Sequence, residues 1–253
     1  MGKSKLGYEI SNWLNDYLEK NNLDTFVVGI SGGIDSAVTS TLCAMTGKKT
    51  IVTIMPIHQN PVETERGDRH CEWLKDRYPN VEQVSVELSS IYDKFLLEVP
   101  SKFHSKLSLA NTRARIRMTT LYLIAGGSKG IVVGTGNKVE DFGVGFFTKY
   151  GDGGVDISPI ADLMKSEVYE LGRELDVSDE IIKAPPTDGL WDDKRTDEDQ
   201  LGVSYDELEW AMEYDGDGSE LNDEQRNALD IYNRHRNTNI HKMIDIPVFK
   251  KRG

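Results

Sequence analysis

Leu6, Ile10, Trp13, Leu14, Tyr17 and Leu18 recur three and four residues apart, so the chain opens with an amphipathic helix. The pattern then changes. Thr25–Ile30 (TFVVGI) is apolar with no polar alternation, the mark of a short parallel strand covered on both faces. Thr50–Met55 is a second buried strand of this kind, a third strand fits Val81–Leu88, and Ile131–Gly134 reads as a fourth. Between them lie helical patterns: Ser36–Thr46, stopped by Gly47, Glu63–Tyr78, ending at Pro79, and Ser108–Ala125, closed by Gly126-Gly127. Strand and helix alternate up to about residue 135. That alternation predicts an α/β fold with a doubly wound, mostly parallel sheet and helices on both faces. Beyond it, Gly143–Asp156 is glycine-rich and Ala184–Gly202 is polar and acidic. Further helices are expected around Tyr205–Tyr214 and Glu220–Asn233. With no repeat and no low-complexity linker, residues 1–253 read as one domain with a loop-rich helical C-terminal part.

Composition narrows the class. A chain of 253 residues with 38% hydrophobic residues can fill a sizeable core. Its 42 acids against 30 Lys and Arg leave a net charge of −12, which argues against nucleic acid and anionic membrane as general partners. Cys43 and Cys71 cannot build a disulfide framework, so a reducing cytoplasm is expected. The start, MGKSKLGYEISNW, lacks the apolar stretch of a signal peptide, and no apolar run approaches membrane-spanning length.

The candidate chemistry begins after the first strand. Gly29-Ile30-Ser31-Gly32-Gly33-Ile34-Asp35-Ser36 joins a predicted strand to a predicted helix. Small residues there let backbone amides converge on an anion at a helix N-terminus. The spacing is neither a Walker A loop nor a G-x-G-x-x-G fingerprint. Asp35 would repel a phosphate unless a bridging Mg²⁺ stood between them. The competing reading is a tight turn capped by Ser31, with Asp35 complementing the helix dipole.

Ser31–Ser36 resembles the SGGxDS pyrophosphate loop of the ATP-pyrophosphatase superfamily, whose members split ATP between its α and β phosphates and adenylate a substrate oxygen. Two further segments, Gly134-Thr135-Gly136-Asn137-Lys138-Val139-Glu140 and Phe146–Asp156 (FFTKYGDGGVD), extend the likeness. With them the chain resembles ammonia-dependent NAD synthetases from about Phe26 to Lys242. The resemblance implies a ligase, dimeric in the family, that turns deamido-NAD, ATP and ammonia into NAD, AMP and pyrophosphate. A pyridine carboxylate is a poor electrophile, and transfer of AMP to it supplies a good leaving group.

The resemblance also implies roles. Asp35 and Glu140 match the family's Mg²⁺ ligands, although from its residue type alone Glu140 is equally a surface acid beside Lys138. Gly29–Ser36, Thr135, Lys165 and Thr187 match the ATP site, and Arg115, Lys149, Asp156, His241 and Lys242 the deamido-NAD or joint site. Arg113 and Arg117 share a helix face roughly opposite Arg115 and read as solvated charges. Asp152 and Asp156 flank Gly153-Gly154 on a loop expected to close over the adenylate, where Asp152 helps to deprotonate ammonium. There are departures from the family pattern. Ile240 and Met243 flank His241-Lys242, the N-terminal helix region is short, and one extra residue lies between Glu140 and Phe146.

Other motifs lead nowhere. Asp141-Phe142-Gly143 has no kinase context, and Asp215–Glu220 lacks the glycine of a calcium loop. The acidic run Asp192–Asp199 reads as a solvated loop. The alternatives are another adenylating pyrophosphatase, of the GMP synthetase or tRNA-modifying sort, and a nucleotide-binding module without turnover. A glutaminase needs a domain of its own and a nucleophile, for which neither helical cysteine is suited, so free ammonia is the expected nitrogen donor.

Overall fold

The computed structural model describes residues 4–59, 61–187 and 196–251. Its centre is a four-stranded sheet, β1 (Thr25–Gly29), β2 (Lys49–Ile54), β3 (Val81–Ser85) and β4 (Gly130–Val133), in the order β3-β2-β1-β4. Every pairing is parallel. Each strand divides its side chains between two cores, as a period of two requires. Phe26, Val28, Val52, Ile54, Ile131 and Val133 face one side, where α1 (Lys5–Asn21), α2 (Ile34–Met45) and α3 (Pro61–Arg77) pack. Val27, Ile51 and Val132 face the other, against Leu121 and Ala125 of α5 (Lys106–Gly127). Met55, Ile57, Leu88 and Tyr92 continue that second side beneath α4 (Ser89–Glu98). The unalternated apolar strands are thus explained by cover on both faces.

Strand order fixes where a ligand can go. The chain runs from β1 through β2 to β3 on one side, then returns by α4 and α5 to place β4 on the other side of β1. The loops after β1 and β4 therefore diverge from neighbouring strands, which opens a crevice at their carboxyl ends.

A separate small core gathers Val139, Val144, Leu201, Val203, Tyr205, Leu208 and Ala228. They come from a π-helical turn (Lys138–Val144), α8 (Asp197–Leu201), α9 (Tyr205–Glu213) and α10 (Asp223–Met243). Two short helices, α6 (Lys165–Glu174) and α7 (Asp179–Ile182), join the sheet's first core. The C-terminal part is helix-rich more than loop-rich. No helix among the described residues is long and apolar enough to cross a membrane.

Several boundaries move from their sequence positions. The third strand stops at Ser85, although Val86 and Leu88 still donate to the carbonyls of Ile54 and Pro56 at 2.9 and 3.0 Å. Gly126 and Gly127 lie inside α5, and Lys129 is the left-handed residue beyond it, at φ 53°. The last helix runs ten residues past Asn233, with only Ala228 buried along it. Its extension is polar in origin. Arg236, Asn239 and Lys242 donate to the carbonyls of Phe142, Gly143, Val144, Gly145 and Phe147, so no apolar period announces it. Of the acidic run, residues 192–195 lie outside the described residues, whereas Asp197–Asp199 open α8 and Asp197 is buried.

The packing of α2 on α3 contains a buried histidine. His70 is 3% exposed, its Nε2 lies 3.0 Å from Ser40 Oγ, and its ring stacks on Trp73. Burial pushes the imidazole from 6.5 down to about 4, against an opposing hydrogen bond with Ala37. In the unfolded chain it returns to about 6.5, so unfolding takes up a proton between those two values. The neutral form's contribution is full above about pH 6.5 and lost as pH falls towards 4, on the order of 3 kcal/mol in all. Urea unfolding of the parent and His70→Gln at pH 7 and pH 4.5 checks this. The parent should lose more stability between the two pH values than the variant does.

Candidate active site

Three helix starts meet in the crevice. After β1 the chain turns through Ser31-Gly32-Gly33 into α2, with Gly32 at φ 83°. Ser31 Oγ accepts from Gly33 N at 3.1 Å and lies 3.1 Å from Ser36 Oγ, which itself donates to Gly33 O. Arg66 of α3 donates to Gly32 O at 2.6 Å, so the turn is held from outside as well as by its own serines. After β4 the chain passes through Gly134-Thr135-Gly136 to the buried Asn137, which caps the π-helical turn by accepting from Val139 N and Glu140 N. The third start is α6, whose first residue is Lys165.

Lys165 is 3% exposed, and its ammonium lies 2.6 Å from Asp35 Oδ2 and 2.8 Å from Glu140 Oε1. Asn137 Nδ2 donates to the other Asp35 oxygen at 2.9 Å. Tyr205 donates its hydroxyl to Glu140 Oε1 at 2.6 Å, and the Lys165 ammonium stands 4.9 Å from that ring's centroid. Burial opposes the charge on Lys165, but the two carboxylates outweigh it and push the pKa far above the usual lysine range. Glu140, despite its burial, is held below the ordinary carboxylate range by Lys165, Tyr205 and Asn137. Burial, together with the Glu140 charge, leaves Asp35 raised although Lys165 pulls it down. One ammonium between two carboxylates cannot favour ionisation of both equally.

These groups floor a cleft of about 270 Å³. Gly29, Ile30, Ser31, Gly33, Ile34, Asp35 and Ser36 line it with Thr135, Glu140, Asp152, Lys165 and Thr187, so the expected ATP-site residues converge, Gly32 alone standing just behind the lining. Met55, Met118 and Leu121 supply an apolar flank. Arg117, read from sequence as a solvated charge, also lines the cleft, donating to Met55 O and Gln59 Oε1 at 2.9 and 2.7 Å. Arg113 lies against the Tyr92 ring. That face of α5 points inward, and helical spacing alone could not choose it.

The second set of expected residues sits differently. Lys149 and Lys242 line an adjoining hollow with Phe147 and Tyr150. Their ammonium groups are spent on the protein's own carbonyls: Lys149 on His241 O, and Lys242 on Gly145 O and Phe147 O. Arg115 is exposed and donates weakly to Lys149 O. The His241 ring leans back on Thr238 O of its own helix. Asp156 is tied to Val132 N and Tyr122 Oη, at 2.8 and 2.9 Å, and lines neither space. Asp152 accepts from Thr148 N, and its carboxyl is raised by its crowded surroundings although it keeps an exposed edge.

Three contributors escaped sequence reading. Asn137 had a signal, an N-cap residue type before Lys138–Glu140. Asp141 lines both spaces, and burial with the charges of Glu140, Asp152 and Asp35 raises its carboxyl well above the ordinary range. Its signal was the extra residue before Phe146, which the wider π-helical turn absorbs. Tyr205 had none, because a tyrosine at a helix start reads as core.

A parallel sheet with a glycine-serine turn at its switch point, a buried lysine–carboxylate floor and an apolar flank defines a nucleotide-binding α/β protein. The family is specific. The NAD synthase model matches residues 7–253, and the chain belongs to that family. It is 37% identical to the NH3-dependent NAD+ synthetase of Methanosarcina acetivorans over 225 residues, 87% of this chain and 85% of that one. Among solved structures it is similar to an NMN synthetase from Francisella tularensis, at 33% identity and a TM-score of 0.88 over 99% of this chain and 100% of that one. It is also similar to the NH3-dependent NAD synthetase of Campylobacter jejuni, at 27% identity and a TM-score of 0.77 over the same shares.

Two glycines separate backbone strain from steric fit. An added Cβ at Gly32 would stand 2.7 Å from Glu63 O, whereas at Gly47, φ 75°, it would meet nothing within 4 Å. Gly47→Ala should cost only the left-handed backbone term, on the order of 1 kcal/mol. Gly32→Ala should cost clearly more in urea unfolding, and should weaken calorimetric binding of an ATP analogue that Gly47→Ala leaves intact.

Proposed function

We propose that the cleft binds ATP and the adjoining hollow a pyridine nucleotide acid, deamido-NAD, and that ammonia converts the adenylated acid to NAD. The observation that carries this reading is the Lys165 ammonium locked between Asp35 and Glu140 beneath the Ser31–Ser36 turn. In the first step a carboxylate oxygen of the acceptor attacks the α-phosphorus. The bond from that phosphorus to the bridging oxygen breaks, and its electron pair leaves on pyrophosphate. In the second step ammonia attacks the acyl carbon, and the carbon–oxygen bond to AMP breaks.

The amides of the turn bind phosphate oxygens, and Lys165 keeps a fixed positive charge where pyrophosphate gains negative charge. Met55, Met118 and Leu121 offer the apolar surface a purine ring needs. Asp152, with a raised carboxyl, is suited to take a proton from ammonium as the amine attacks. Lys149 and Lys242 orient the acceptor's phosphates from the hollow, Arg115 and His241 act beside Lys149, which each contacts, and Asp156 holds the loop to β4. Residues of the sheet core and of the small C-terminal core both reach the site, which supports treating 1–253 as one catalytic unit.

Mg²⁺ is the cation the floor fits. Two hard carboxylate oxygens from separate loops already converge on one positive charge, and no larger cluster of His, Cys, Asp and Glu exists among the described residues. Asp35 and Glu140 would hold the ion together with nucleotide phosphate oxygens, as Mg²⁺ prefers. When bound, it neutralises charge developing on pyrophosphate.

Ammonia as the donor is supported by the thiols. Cys43 and Cys71 are both fully buried, and burial pushes Cys71 up to about 12 and Cys43 higher still, so neither is a poised nucleophile. A cytoplasmic setting agrees with free thiols. A second reading concerns the acceptor. The similarity to an NMN synthetase favours the corresponding mononucleotide acid, since both acceptors present the same pyridine carboxylate. Pyrophosphate release with ATP, Mg²⁺ and either acceptor decides between them. We expect deamido-NAD to give the higher kcat/KM, ammonium to support amide formation and ammonium-free glutamine not to. Release that ignores both acceptors would refute the reaction.

A homodimer is supported by the exposed apolar side chains of α4, α5 and the short turn between them: Ile91, Phe95, Leu97, Phe103, Leu107 and Leu123. So many large apolar side chains are costly to leave in water, and an identical copy would cover those that share a face. Sedimentation should give twice the chain mass for the parent and a monomer for the Leu97→Lys, Phe103→Lys variant.

A further inference from the structure

We infer that Tyr205 is a positioning residue for the divalent cation, acting through Glu140. The inference rests on the assignment of Asp35 and Glu140 as the cation's protein ligands. Glu140 needs such a support, because it stands on a π-helical turn, which spaces its backbone hydrogen bonds more widely than an α-helix does. The support arrives from another element. Tyr205 is the first residue of α9, 7% exposed, with its backbone N–H held by Glu198 Oε1 at 2.9 Å and its ring packed in the small C-terminal core. From that fixed base its hydroxyl reaches Glu140 Oε1 at 2.6 Å, and it also lies 3.4 Å from Asp197 Oδ2.

Tyrosine and lysine converge on the same oxygen. Lys165 also meets Glu140 at Oε1, so both contacts orient the carboxylate through one of its oxygens. The ring beneath the Lys165 ammonium contributes a second constraint. A phenylalanine keeps the ring and the packing but removes the hydroxyl that fixes the carboxylate. Groups that hydrogen-bond a metal-binding carboxylate commonly alter metal affinity about tenfold or more when removed. Nothing in the helical pattern separates this tyrosine from Tyr214 at the end of the same helix. Tyr214 instead accepts from Gly218 N at 2.8 Å, far from the cleft.

That second tyrosine is the control. Mn²⁺ binding to the full chain, with an ATP analogue whose α–β bridge is a methylene, is followed by electron paramagnetic resonance, so no turnover is needed. Tyr205→Phe should raise the Mn²⁺ concentration for half-saturation about tenfold. Tyr214→Phe should leave it unchanged, and both should melt within a few degrees of the parent. In the activity assay, Tyr205→Phe should be rescued by high Mg²⁺. Unchanged Mn²⁺ binding in Tyr205→Phe, with Asp35→Asn losing it, overturns the inference while leaving the metal assignment standing. Unchanged binding in Asp35→Asn as well overturns that assignment and the inference with it. Loss of the fold in Tyr205→Phe alone makes the hydroxyl structural and also overturns the proposal.

Discussion

A lysine side chain that is 3% exposed and fully charged must recover from the protein what it gives up in hydration. For a single ion that loss is several kcal/mol even after relaxation. Lys165 meets a second difficulty, since it is the first residue of α6 and a cation is disfavoured at a helix N-terminus. Asp35 and Glu140 answer both, and they stand where carboxylates are favoured, in the first turns of α2 and of the π-helical turn. Three helix starts are thereby tied by one ammonium, and two cores depend on it: the sheet core through Asp35 and Lys165, the C-terminal core through Glu140 and Tyr205.

The same arrangement explains how a protein of net charge −12 can receive a triphosphate. Glu140, Asp35, Asp141 and Asp152 all border the cleft, with Lys165 and Arg117 as the nearby cations. Glu140 is the acid most firmly ionised, whereas Asp35, Asp141 and Asp152 are all raised. With all four of these acids ionised against the two cations, the six groups would together carry two negative charges, which a divalent ion offsets. A triphosphate is therefore received more readily with a divalent cation than without one.

Much of the frame was legible because backbone constraints write themselves into residue types. Unalternated Val, Ile and Phe marked the first two strands, and the glycine-serine sequence marked the turn into α2, where Gly32 takes a left-handed φ. Asp35, Thr135, Lys165 and Thr187 came from the family likeness and do line one cleft. The parts that stayed hidden are settled by tertiary packing. The inward face of Arg117, the polar extension of α10 and the hydroxyl of Tyr205 all depend on partners more than fifty residues away, which no local period encodes.

Those distant partners also shape the hollow proposed for the acceptor. Lys149 and Lys242 each bridge between α10 and the Gly145–Lys149 segment, so these cations hold the wall between the two spaces before any substrate arrives. Burial has already lowered the Lys242 pKa against the pull of Asp152. An anion entering the hollow would compete with neutral carbonyls for these ammonium groups, and charge-assisted bonds are the stronger. Asp141 and Gly153 also line the hollow. On the proposed placement of the acceptor, its binding and the shape of the junction between the two spaces would be set by the same few contacts. Of the altered flanks, Met243 itself lines the hollow, whereas the Lys149 contact uses the backbone carbonyl of His241 and not its ring.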